Sequence, residues 1–82
     1  MLKIGTGTKL SPEDAIKRAV EFFGPGGGYG LKVTEQTPGS ACFEGGGGGV
    51  EVVACAGEEG TQVDLISREW DHQVREFISK IR

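Results

Sequence analysis

Apolar residues recur at two different periods along this chain, and the changes of period mark its elements. The opening "MLKIGTGTKL" sets Leu2 and Ile4 on one face at period two, which predicts a first strand ending near Thr8. "SPED" then predicts a helix start. Ser11 suits the N-cap, Pro12 suits the first helical position because its missing N–H would be unpaired there anyway, and Glu13 and Asp14 favour the positive end of the helix dipole. Ala15, Ile16, Ala19, Val20 and Phe23 follow at helical spacing as one apolar stripe, and "GPGGG" from Gly24 to Gly28 ends it.

From Tyr29 the period returns to two. Tyr29, Leu31 and Val33 share a face up to the "TPGS" turn at Thr37 to Ser40, which predicts a second strand. Ala41 and Phe43 mark the inward side of a third, and Val50, Val52, Ala54 and Ala56 that of a fourth. After the "GEEG" turn at Gly57 to Gly60, Val63 and Leu65 point inward from a fifth. Ser67 then suits the cap of a C-terminal helix with the stripe Trp70, Val74, Phe77, Ile78 and Ile81, and with Arg75, Lys80 and Arg82 toward its negative end. The order β-α-β-β-β-β-α predicts one α+β domain over residues 1–82, an antiparallel sheet with two helices on one face.

Five consecutive glycines, Gly45 to Gly49, separate the third and fourth strands. Residues paired across an antiparallel ladder must share a face, so inward Phe43 has to meet an even-numbered partner. A loop of all five glycines would pair Phe43 with Glu51 and put a carboxylate on the core face, and is rejected. A two-residue turn at Gly48 and Gly49 pairs Phe43 with Ala54, Ala41 with Ala56, and Cys42 with Cys55 on the opposite face. A four-glycine loop from Gly46 to Gly49 would instead pair Phe43 with Val52. Glycines left within the strand cost conformational entropy and suggest that something approaches that backbone closely.

This element order resembles one repeat of the TATA-binding-protein fold, and it is similar to a shortened helix-grip domain, in which a C-terminal helix lies across a curved antiparallel sheet. The resemblance is one of layout and covers the whole chain. It implies that both helices bury against one sheet face, and it carries over no functional residue.

Composition narrows the function. Eighty-two residues support a single core, and 15 glycines leave few large side chains to fill it, so a partner subunit is expected to complete the burial. The net charge of −3 and the scatter of the nine Lys and Arg residues argue against a nucleic-acid surface. No apolar run suits a transmembrane helix or a signal peptide, so a cytoplasmic protein with two reduced thiols is expected. One His and two widely spaced Cys offer no zinc pattern, and neither a metal nor a cofactor is expected.

The glycine runs do not suit nucleotide binding. "GPGGGYG" follows a helix and precedes a strand, the reverse of a phosphate-binding order, and "EGGGGGVEVV" lacks the Lys-Ser or Lys-Thr of a P-loop. His72 falls off the apolar stripe beside Glu76, with no orienting partner for general-base work. Glu44, Glu51 and Asp64 share the outer sheet face with the cysteines. Three functions are therefore weighed. The first is a non-enzymatic binding or assembly module, a homodimer or a partner of another protein, whose outer face carries Cys42, Val53, Cys55 and Ile66. The second is a carrier of a small apolar ligand, held between sheet and C-terminal helix by Tyr29, Phe43 and Trp70. The third is an enzyme built on His72 or the cysteines.

Overall fold

The computed structural model describes residues 1–82, the side chain of Pro25 excepted. Its elements follow the predicted order: β1 (Leu2–Thr8), α1 (Pro12–Phe23), β2 (Lys32–Thr37), β3 (Ser40–Gly45), β4 (Gly48–Gly57), β5 (Gly60–Arg68) and α2 (Asp71–Ile81). A short 3-10 turn, Pro25–Gly27, follows α1. All pairings are antiparallel and the spatial order is β1-β5-β4-β3-β2. Because β1 and β2 occupy opposite edges, α1 must carry the chain across the sheet; it lies over β3, β4 and β5, and α2 takes the remaining space over β5 and β1.

Helix α1 begins as its sequence dictates, with Ser11 Oγ accepting from the Asp14 N–H at 3.1 Å and Pro12 in the first turn. Its stripe, Ala15, Ile16, Ala19 and Phe23, is buried. Phe23 of α1, Phe43 of β3 and Phe77 of α2 then lock the two layers: ring centroids are 5.5 Å apart for Phe23 and Phe43 and 5.3 Å for Phe23 and Phe77. Each such ring stabilises the fold by roughly 1.5 to 3 kcal/mol through burial. Leu31, Ala41, Val50, Val52, Ala54, Val63, Leu65, Val74, Ile78 and Ile81 complete the core.

The structure corrects the glycine hairpin. The turn is Gly46–Gly47, with φ of 60° and 82°, and Phe43 pairs with Val50, Ala41 with Val52, and Cys42 with Glu51. Two positive φ values in a two-residue turn match the right-handed twist of the strands they join. This register keeps the predicted face of every residue but opposes Phe43 to Val50, where the Gly48–Gly49 turn would have opposed that valine to Gly47. Gly46 of the turn and the glycines on either side of it lie under other groups. A Cβ on Gly46 would stand 2.8 Å from Trp70 Cζ2, one on Gly45 would stand 2.9 Å from the Gly30 carbonyl oxygen, and one on Gly48 would collide with the Arg68 carbonyl oxygen.

Helix α2 also starts later than expected. Strand β5 runs on through Arg68, Glu69 turns the chain with φ of 71°, and Ser67 Oγ accepts from the Trp70 N–H at 3.1 Å, so Ser67 caps this turn rather than the helix. Trp70 therefore precedes α2 instead of joining its stripe. It lies half-buried over the glycine hairpin, its Nε1–H donating to the Gly45 carbonyl at 3.0 Å. Strand β2 starts at Lys32 rather than Tyr29, after the left-handed Gly30 (φ 78°), and a bulge falls between Val33 and Glu35. Ala56, expected to be buried on the inward side, is exposed.

Candidate interface on the outer sheet face

Both helices pack on one face, so no second layer covers the other. The strand registers lay that outer face out in rows across the sheet. One row reads Lys32, Glu44, Gly49, Arg68; the next Glu35, Cys42, Glu51, Ile66, Lys3; the next Ser40, Val53, Asp64, Gly5; and the last Cys55, Gln62, Gly7. Val53 and Ile66 are diagonal neighbours in the middle, both half-buried, and Cys42 lies across Glu51 from Ile66. The apolar centre is thus ringed by Glu35, Glu44, Glu51 and Asp64 against Lys3, Lys32 and Arg68. Arg68 approaches Glu44 at 3.6 Å, an exposed pair that contributes little to stability.

A shallow groove of about 500 Å³ runs beside this centre, lined by Lys3, Gly5, Glu51, Val53, Asp64 and Ile66. Its floor is low because Gly5 has no side chain; Asp64 leans into that space, accepting from the Gln62 amide at 3.2 Å. Lys3, Gly5 and Arg68 escape the residue-type reading of the sequence. Arg68 was legible in principle, since the alternation of Asp64 and Ile66 continues through it.

The structure does not bring the two cysteines together. Cys42 pairs with Glu51 and Cys55 with Gln62, four residues further along β4, or about 13 Å at strand rise. A disulfide needs Cα atoms within roughly 7 Å, so the cross-strand bridge implied by a Gly48–Gly49 turn does not form in this register. Cys42 is half-buried and Cys55 exposed. Burial, with the charges of Glu51, Glu35 and Glu44, raises the Cys42 thiol above its usual pKa and makes it a poor nucleophile at neutral pH.

Of the residues expected to line a ligand pocket, Tyr29 and Trp70 meet edge-to-face at 6.0 Å, while Phe43 is sealed against Phe23. A roomier depression of about 750 Å³, lined among others by Lys9, Leu10, Glu59, Thr61, Ile81 and Arg82, contains neither His nor Cys. His72 is exposed on α2, with Nε2 3.9 Å from Glu76 Oε2. Among the described residues no three His, Cys, Asp or Glu side chains converge as a metal site requires. No helix of the described residues is long and apolar enough to cross a membrane.

No protein-family profile and no curated protein sequence matches the chain. Among solved structures it is similar to the solution structure of the Aha1 dimer from Colwellia psychrerythraea, with a TM-score of 0.62 over 99% of this chain and 96% of that one, at 15% sequence identity. That likeness establishes the α+β fold.

Proposed function

We propose that this protein is a non-enzymatic assembly module that meets a second copy of itself, or another protein, through the outer face of its sheet at Cys42, Val53, Cys55 and Ile66. The observation that carries this reading is the half-buried Val53–Ile66 centre, set inside a ring of charges on a face that no helix covers. Interfaces share that anatomy, an apolar middle with a polar rim. The dimeric state of the structurally similar Aha1 supports self-association. Tight ring packing around Tyr29, Trp70 and Phe43 favours assembly over a small apolar ligand held at those residues. The raised Cys42 thiol and the solvated His72 favour it over catalysis.

Sedimentation equilibrium tests the reading. Self-association is expected at micromolar concentration, weakened by Val53→Lys and by Ile66→Lys while circular dichroism stays unchanged. A dimer indifferent to both substitutions would remove the outer face from the contact.

A further inference from the structure

The two edges of the sheet differ in how they are closed to other chains. β2 carries a bulge between Val33 and Glu35, charges at Lys32 and Glu35, and a proline at its end, Pro38. Bulges, charges and prolines blunt an edge against further pairing. β1 has neither bulge nor proline, and its seven residues run in unbroken register with β5 from Leu2 opposite Ser67 to Thr8 opposite Thr61. Among the described residues, no backbone hydrogen bond outside the β1–β5 ladder involves Leu2–Thr8. The N–H and C=O groups of Lys3, Gly5 and Gly7 therefore point away from the sheet, and among them a protein partner is seen for the Gly7 carbonyl alone, which accepts from the Thr6 hydroxyl at 3.4 Å.

We infer that β1 pairs antiparallel with β1 of a second copy, about a two-fold axis at Gly5, so that two sheets become one. This goes beyond the face contact proposed above and adds a second, separate joint: the outer faces of an edge-paired dimer lie on one side and cannot meet each other, so the face contact would join one such dimer to another. A two-fold axis perpendicular to the sheet keeps both outer faces on the same side, so paired residues must share a face. Pairing about Gly5 satisfies that condition and overlaps the whole strand: Leu2 meets Thr8, Lys3 meets Gly7 and Ile4 meets Thr6. No like charges are opposed. Lys3, the only charge on the strand, crosses its partner at Gly7, where the missing side chain leaves open space. The next outward position is Gly5, and a Cβ there would lie 2.5 Å from Asp64 Oδ1, so this carboxylate already leans to the edge. Each Lys3 ammonium then approaches the partner's Asp64, twice per dimer. On the inner side, the half-buried Leu2 and Ile4 gain cover.

The test uses the full chain with Cys42→Ser and Cys55→Ser, carrying either Gly5→Cys or Lys3→Cys. A side chain at Gly5 displaces only the mobile ends of Asp64 and Gln62. Mild oxidation should link Gly5→Cys into a covalent dimer and leave Lys3→Cys unlinked, since its symmetry mate lies about 13 Å off register. In the native background, Lys3→Glu should weaken the dimer roughly tenfold in sedimentation, and Asp64→Lys added to it should restore the affinity. Equal linking of both cysteine variants, or a monomeric parent, would overturn the edge pairing. A parent dimer dissociated by Val53→Lys, with Gly5→Cys left unlinked, would overturn it while the face contact stood. A linked Gly5→Cys dimer unaffected by Val53→Lys would uphold the edge and remove the face contact instead.

Discussion

Leu65 and Ile66 are adjacent in sequence and nearly identical in apolar content, yet Leu65 is 1% exposed on the face where both helices pack and Ile66 stands half-buried on a face without cover. The same contrast repeats along β4 between Val52 and Val53. A strand turns successive side chains to opposite faces, so one residue of offset decides whether a valine builds the core or stands on the face that no helix covers. The inner face is filled by side chains of this chain. The outer face retains apolar surface that this chain does not bury.

Substitutions on the two faces should therefore differ most in what they damage. Phe43→Ala, at the junction of β3 with Phe23, should cost about 3 to 5 kcal/mol in urea unfolding, enough to threaten a domain of this size. Val53→Lys should change monomer stability by less than about 0.5 kcal/mol and act on association alone. Equal losses for the two would erase the distinction between the faces.

The hairpin that joins β3 to β4 sharpens the comparison at intermediate cost. Gly46→Ala requires a left-handed alanine 2.8 Å from the Trp70 ring, and should destabilise by about 1 to 3 kcal/mol while lowering the near-ultraviolet signal of the indole. An unchanged midpoint would show that Trp70 does not depend on the glycine backbone beneath it.

The smallest effect is chemical. A thiol-selective reagent at pH 7 should label Cys55 before Cys42, because Cys55 is exposed and Cys42 is half-buried with its thiol held protonated by burial and neighbouring carboxylates. Raising the pH converts Cys42 to thiolate and should narrow the difference. Labelling followed by peptide mass spectrometry checks this, and a faster Cys42 at neutral pH would contradict the outer-face environment described above.

Much of the layout was legible from local chemistry. Ser11, Pro12, Glu13 and Asp14 define the start of α1 because capping, proline geometry and the dipole act within a few residues. The alternations through Ala41 and Phe43, Val50 to Ala54, and Val63 and Leu65 assign faces for the same reason. Trp70 was less legible: it stands at a spacing that fits the α2 stripe, and the left-handed turn at Glu69 that removes it from the helix is a consequence of how β5 hands the chain to α2. On the candidate surface, Val53, Ile66 and the cysteines follow from parity, whereas the importance of Gly5 and Lys3 depends on β1 lying at a sheet edge, which no local pattern states.

The glycine run separates most clearly what sequence and tertiary structure each decided. Sequence alone required inward Phe43 to meet an even-numbered residue, because a side chain on the wrong face would bury a carboxylate. That condition is met equally by Ala54, Val52 and Val50, since sliding one strand by two residues returns every side chain to its own face. Glycine makes the choice freer still, as any adjacent pair among the five adopts positive φ without strain. Only the assembled molecule selects Val50: Trp70 closes over Gly45 and Gly46 and donates its indole hydrogen to Gly45, the Arg68 backbone passes against Gly48, and the φ > 0 positions fall between them at Gly46 and Gly47. Those contacts come from a segment twenty or more residues away, which is why a rule of period two could set the face and not the register.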